Sequence, residues 1–189
     1  MNNKGVTLIA LVITIIVLVI LAGVSISIMM GDNGIVTRAT TVELEYSKAE
    51  VEEKFEMLVN DKLMEAYAAI QNDNSDISNY YKESILIPSF IESGYITADT
   101  TSNTVSDFLG EMTETPLYSR YIISVSALSD NVDLYGKGTS ISEGDVFTLE
   151  VKTDEAGKST GEYDVKYYES PNTEGEVLTT FSLYLSNNS

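Results

Sequence analysis

The 189-residue chain has 29 Asp and Glu residues against 11 Lys and Arg residues, a formal net charge of −18. Such an acidic surface repels a phosphate backbone, so we expect no nucleic-acid partner. The absence of His and Cys excludes Ser-His-Asp and Cys-His catalysis, thiolate metal sites and disulfide bonds. Carboxylate pairs remain possible catalysts, but none lies in a recognisable motif. We therefore expect no enzyme activity, no cofactor and no metal.

The first thirty residues contain one long apolar segment. No charged side chain lies between Gly5 and Gly31, and residues 6–30 are mostly Ile, Val and Leu. About 20 apolar residues in a helix span a bilayer, and in lipid the backbone must be helical to satisfy its own polar groups. Lys4 precedes the segment and keeps the amino end cytoplasmic. The core is too long for an ordinary signal peptide, so we predict a single-pass protein of the cytoplasmic membrane with its C-terminal domain outside.

The next feature is a turn signal. Gly31, Asp32, Asn33 and Gly34 combine two glycines with two Asx residues, a pattern that breaks helices. Asp32 or Asn33 can also cap a following helix by accepting its free N–H groups. We predict that residues 31–34 form a hinge at the bilayer surface; the alternative is the plain end of a transmembrane helix.

An amphipathic helix is predicted for residues 35–72. Apolar residues recur at intervals of three and four, which places them on one face, and acidic residues fall mostly on the other. The predicted apolar stripe is Val51, Phe55, Leu58, Val59, Leu63, Ala66, Tyr67 and Ile70. This stripe is expected to pack on a domain while the charged side is solvated.

The remainder divides at about residue 117. Residues 73–117 form a variable loop region, in which Pro88 sits in a strand or loop that leads into a short helix closed by Gly94. Residues 118–189 form an antiparallel sheet, because short β-rich runs follow one another closely. The predicted strands cover residues 121–128, 132–135, 146–152, 163–168 and 177–185. The fold class is therefore α+β, with one long N-terminal helix packed on four or five strands, and several tyrosines are expected to pack that sheet.

The order of residues at the amino end resembles a known processing signal. Lys4 and Gly5 directly precede Val6, Thr7, Leu8 and Ile9, and the apolar helix follows without a break. This order is similar to the class III signal of type IV pilins and pseudopilins, a short basic leader that ends in Gly. Over about the first thirty-five residues the chain is most similar to the pilin-like proteins of Gram-positive clostridia.

The resemblance implies how the chain is processed and what it contacts. Residues 1–5 would be a leader that a prepilin peptidase removes between Gly5 and Val6, with methylation of the new Val6 amine. Lys4, Thr7, Leu8 and Ile9 would be recognised as substrate features. The implied partners are other pilin subunits, in a homo- or heteropolymer, together with an assembly platform protein and an ATPase. The implied function is a structural subunit of a surface filament, with residues 6–30 in the filament core.

Ala10 departs from the family pattern, which usually has Glu at the fifth mature position. That Glu is thought to meet the terminal amine of a neighbouring subunit, and an unpaired ammonium in an apolar core costs several kcal/mol. Ala10 therefore favours a minor pseudopilin of a type II secretion or competence-type system over a major pilin. An alternative from another class is a non-filamentous single-pass protein for surface binding or adhesion.

Overall fold

In the computed structural model, the described residues are 4–31, 34–73, 82–108, 115–128 and 144–183. The chain divides into two units, Met1–Glu45 and Tyr46–Ser189. The helices are α1 (Lys4–Met30), α2 (Ile35–Asp73), α3 (Lys82–Glu92) and α4 (Val125–Leu128). The strands are β1 (Ile96–Ala98), β2 (Thr104–Val105), β3 (Leu117–Tyr118), β4 (Arg120–Ile123), β5 (Val146–Thr153), β6 (Ser159–Tyr168) and β7 (Glu176–Ser182).

Five strands form one antiparallel sheet in the second unit. Their order is β1-β4-β5-β6-β7, and β2 and β3 form a separate antiparallel pair. The fold is thus α+β, with a long N-terminal helix and a five-stranded antiparallel sheet, as the sequence predicts. Burial alternates along all of β6, from Ser159 to Tyr168, so one face of the sheet is buried and the other is half-exposed.

The core lies between the inner face of the sheet and two helices. The Phe55 ring of α2 lies 5.6 Å from that of Phe90 in α3 and 5.8 Å from that of Phe181 in β7, between centroids. Aromatic pairs at such distances stabilise beyond the area that they bury. The buried aliphatic and aromatic side chains of the sheet are Ile96, Tyr121, Ile123, Phe147, Leu149, Val151, Tyr163, Val165 and Tyr167.

The buried face of α2 is narrower than the sequence predicts. Val51, Phe55, Val59 and Ala66 are buried, whereas Leu58 and Leu63 are half-buried and Ile70 lies outside the residues whose side chains are described. The placement of Tyr67 in the stripe is wrong, because its side chain is 46% exposed. At 100° per residue, Tyr67 points well away from the centre of the buried face. The solvated side also carries exposed apolar residues, namely Tyr46, Met57 and Met64.

Helix α3 replaces the strand or loop predicted around Pro88. Pro88 lies inside the helix, where it removes the hydrogen bond to the carbonyl of Ser84. Both residues are on the exposed side, so water can reach that carbonyl. Beyond α3, Gly94 has a φ of +76°, and the Tyr95 N–H donates to the Phe90 carbonyl at 2.9 Å. This pattern closes the helix as the sequence predicts.

The predicted strand over residues 121–128 is too long. Strand β4 ends at Ile123, and α4 follows from Val125. The Ser124 N–H still donates to the Tyr95 carbonyl at 2.8 Å, in register with the β1–β4 pairs, and the Ser124 carbonyl then accepts from the Ala127 N–H at 3.0 Å, which turns the chain into α4. Strand β1 pairs with β4, so the sheet also includes a strand from the predicted variable region. The strand predicted at 132–135 and the end of the one predicted at 177–185 lie outside the described residues.

Candidate functional site

Helix α1 presents its apolar side chains outward along its whole described length. Sixteen large apolar residues between Leu8 and Met29 are each 45–65% exposed. This 22-residue segment is long and apolar enough to cross a membrane, and none of it is buried. At 1.5 Å per residue it is about 33 Å long, against about 30 Å for the hydrocarbon core of a bilayer. Such an apolar surface is unfavourable in water, so it needs lipid or another apolar helix around it.

Two hydroxyl groups in α1, those of Thr14 and Ser25, have partners that suit an apolar environment. Thr14 Oγ1 donates to the Leu11 carbonyl and Ser25 Oγ to the Leu21 carbonyl, both at 2.8 Å. Each hydroxyl thus has a partner on its own helix, as a polar group in lipid requires.

The predicted processing residues lie at the start of α1. Lys4, Gly5, Val6 and Thr7 belong to its first turn, where backbone N–H groups have no partner within the helix. Leu8 and Ile9 follow with exposed side chains. Ala10 is four residues after Val6 and therefore on the same side of the helix.

The predicted hinge coincides with the break between α1 and α2. The Gly31 N–H donates to the Ser27 carbonyl at 2.9 Å, and the Arg38 N–H donates to the Gly34 carbonyl at 3.0 Å, so one helix ends where the next begins. A Cβ atom on Gly31 would lie 2.6 Å from the Ser27 oxygen, and one on Gly34 would lie 2.7 Å from the Met29 carbonyl carbon. The break therefore requires glycine at both positions. Asp32 and Asn33 lie outside the described residues.

A buried carboxylate ties α3 to the sheet in the second unit. Glu83 is only 3% exposed. Its Oε1 accepts hydrogen bonds from the hydroxyls of Ser159 and Tyr163, and its Oε2 accepts one from the Phe108 N–H at 2.6 Å. Burial raises the pKa of Tyr163 well above its ordinary value, and the Glu83 charge raises it further. The cluster holds structure together, because buried polar groups must be paired.

The outer face of the sheet carries a second polar cluster. Glu150 accepts hydrogen bonds from Tyr168 at 2.5 Å and from Lys166 at 2.9 Å. Burial opposes ionisation of Glu150, but these hydrogen bonds outweigh it and lower its pKa. Beside it, Asp99 accepts bonds from Thr101 and Arg120, which together lower its pKa to about 2.

Three of the four tyrosines in the five-stranded sheet pack its inner face. Tyr121, Tyr163 and Tyr167 are buried, and burial raises the pKa of Tyr121 to about 12. The Tyr167 hydroxyl donates to Asp145 at 2.9 Å. Tyr168 differs, because it faces the outer side and is half-buried.

Nothing in the described residues places three or more potential metal ligands together. Comparisons of the chain with protein-family models, with curated proteins and with solved structures find no match. The functional argument therefore depends on the residues and geometry of this chain.

Proposed function

We propose that the chain is a structural subunit of a type IV pilus or a related pseudopilus. In this proposal α1 holds the precursor in the cytoplasmic membrane, and a prepilin peptidase cuts between Gly5 and Val6 and methylates Val6. The subunit then joins other pilin subunits in a surface filament, with the help of a platform protein and an assembly ATPase.

The exposure of α1 is the observation that carries this proposal. Sixteen large apolar side chains are about half exposed. If each leaves about 100 Å² uncovered, burial of the whole surface at about 25 cal/mol per Å² contributes on the order of 40 kcal/mol before any opposing term. Lipid covers this surface in the precursor, and neighbouring α1 helices cover it in a filament. The same helix can thus serve as anchor and as assembly surface.

Three further features support a filament subunit over a plain anchor. The first is the residue order from Lys4 to Ile9, which is similar to the prepilin signal. The second is the break between helices α1 and α2, which requires glycine at positions 31 and 34. The third is the α+β architecture, in which α2 packs on the inner face of an antiparallel sheet through Phe55.

A minor pseudopilin of a secretion or competence-type system is the second candidate. The observation that favours it is Ala10, which offers no carboxylate to the terminal amine of a neighbour. A subunit at the filament tip has no subunit above it to contact, so it tolerates this loss. An Ala10→Glu variant that enters filaments in larger amounts than the natural chain would support this candidate.

Mass spectrometry of the N-terminal peptide, on protein from its native cells, tests the proposal. We expect a chain that begins at methylated Val6. A Gly5→Leu variant should remain an uncleaved precursor. Gly23→Leu is the matched control, because an added Cβ at Gly23 meets no side chain within 4 Å, and it should be processed normally. A natural chain that still begins at Met1 or Asn2 would contradict the proposal and leave the non-filamentous surface protein.

A further inference from the structure

The outer face of the five-stranded sheet has a charge balance unlike that of the whole chain. In β4, β5 and β6 the outward side chains of Arg120, Glu150 and Lys166 alternate in sign, and ion pairs join Arg120 to Asp99 and Lys166 to Glu150. The chain as a whole carries a net charge of −18. This face therefore presents both donors and acceptors, while most of the remaining charge is acidic.

Two adjoining hollows open on this face. One, of about 420 Å³, has the loop around Ser170 and Asn172 as its wall. The other, of about 340 Å³, is bounded by the turn around Ser102. Both are lined by Arg120 and Tyr168, so the two side chains stand between them. Each hollow falls within the usual range for small-ligand sites, about 300–1,000 Å³.

The side chains between the hollows are already held in place. The Tyr168 ring lies directly on Gly175, where an added Cβ atom would come within 2.6 Å of its Cζ, and its hydroxyl donates to Glu150. The Arg120 Nε and Nη2 atoms lie 2.7 Å and 2.6 Å from Asp99 Oδ2. Side chains fixed in this way lose little freedom when a ligand binds, which favours binding.

The chemistry of the hollows selects one class of ligand. Of the charged side chains that line the hollows, the Glu150 carboxylate only accepts hydrogen bonds, whereas the Arg120 guanidinium only donates them. Among the described residues, no group pairs with the Arg120 Nη1. Hydroxyl groups both donate and accept, so vicinal hydroxyls can satisfy both kinds of side chain at once. In the second hollow, an anion would be repelled by Glu150 and a cation would be repelled by Arg120.

We infer that this face, across both hollows, binds a neutral oligosaccharide of two or three units. The hydroxyls of one unit pair with Arg120 and Glu150, and the Tyr168 ring edge contacts its apolar ring hydrogens. The site lies on the second unit and uses none of α1, so it stands whether or not the chain assembles into a filament. It makes the chain a surface receptor for glycans in addition to any structural role.

Titration of the full chain in lipid nanodiscs with cellotriose and N,N′,N″-triacetylchitotriose tests the inference. Detergents with sugar head groups must be avoided, because they would compete for the site. Calorimetry should show saturable binding of at least one trisaccharide, and Tyr168→Ala and Arg120→Ala should each weaken it about tenfold, the loss of one good polar or stacking contact. The matched control is Lys152→Met, which removes an ion pair with Glu162 on the same face but lines neither hollow.

Each result described here either supports or overturns the inference of a sugar site. Binding that Tyr168→Ala and Arg120→Ala both weaken and that Lys152→Met retains would support the site. Binding that all three variants retain would place the sugar elsewhere and overturn the inference, as would the absence of binding to either trisaccharide. Saturable binding of the neutral tripeptide Gly-Ser-Gly without binding of sugar would also overturn it, in favour of a peptide groove. Thermal unfolding of every variant separates lost contacts from lost structure.

Discussion

Replacement of Glu83 with Ala should be among the most destabilising single changes in the second unit. The side chain is 3% exposed, and three donors converge on its carboxylate: the Phe108 N–H and the hydroxyls of Tyr163 and Ser159. Each orphaned buried donor costs about 1–3 kcal/mol, and relief of the buried charge offsets part of that sum. We expect a net loss of about 3–5 kcal/mol in the free energy of unfolding.

Urea unfolding of the full chain in nanodiscs, followed by tyrosine fluorescence, measures this loss. Tyr163→Phe removes one of the three donors and should cost about 1–2 kcal/mol. The double variant should cost less than the two single changes added together, because both remove the same hydrogen bond. Glu92→Ala, at the exposed end of the same helix, is the control and should change stability by less than about 0.5 kcal/mol. A loss below about 1 kcal/mol for Glu83→Ala would refute the reasoning.

Three further predictions concern other parts of the chain. Asp99 has a pKa lowered from 3.8 to about 2, so its stabilising effect is present above pH 4 and is lost as the pH falls towards 2. In thermal unfolding, the Asp99→Asn variant should therefore be less stable than the natural chain at pH 7 and about as stable at pH 2. Phe55→Ala removes a fully buried ring and should lower the free energy of unfolding by about 3–5 kcal/mol in urea titrations. The control is Met57→Ala, two residues further along the helix and exposed, which should change this free energy by less than about 0.5 kcal/mol. Gly34→Ala should disrupt the start of α2, because its Cβ would meet the Met29 carbonyl; amide hydrogen exchange at Arg38 should then accelerate, and unchanged exchange would contradict the geometry.

The parts of the fold that the sequence predicts best are those with one dominant physical cause. Helix α1 follows from the uncharged apolar run alone, because no other backbone structure satisfies itself in lipid. Strands β5, β6 and β7 follow from β-rich segments bounded by polar turns. The course of the chain near Pro88 follows from tertiary context, since the missing hydrogen bond is tolerable only because that side of α3 faces water.

The polar clusters could not be predicted in the same way. Glu83 is one of 29 acidic residues, and nothing in its neighbours along the chain marks it as buried. Its partners Ser159 and Tyr163 are 76 and 80 residues away. Arg120 and Tyr168 are likewise brought together only by the register of three strands. Such sites depend on strand pairing, which local sequence patterns do not specify.

Helix packing and charge repulsion oppose each other in this chain, and their balance bears on whether it would be a major or a minor filament subunit. Packing of α1 against neighbouring α1 helices would favour association, whereas the strongly acidic charge, −18 for the full chain, opposes close contact between identical subunits. Salt at physiological strength screens charges beyond about 8 Å, but charges on surfaces in direct contact are closer than that. Less acidic neighbours would lower the repulsion without reducing the apolar burial. Together with Ala10, which supplies no carboxylate to a neighbour's amine, this balance favours a minor subunit in a mixed filament over a major one that polymerises with itself.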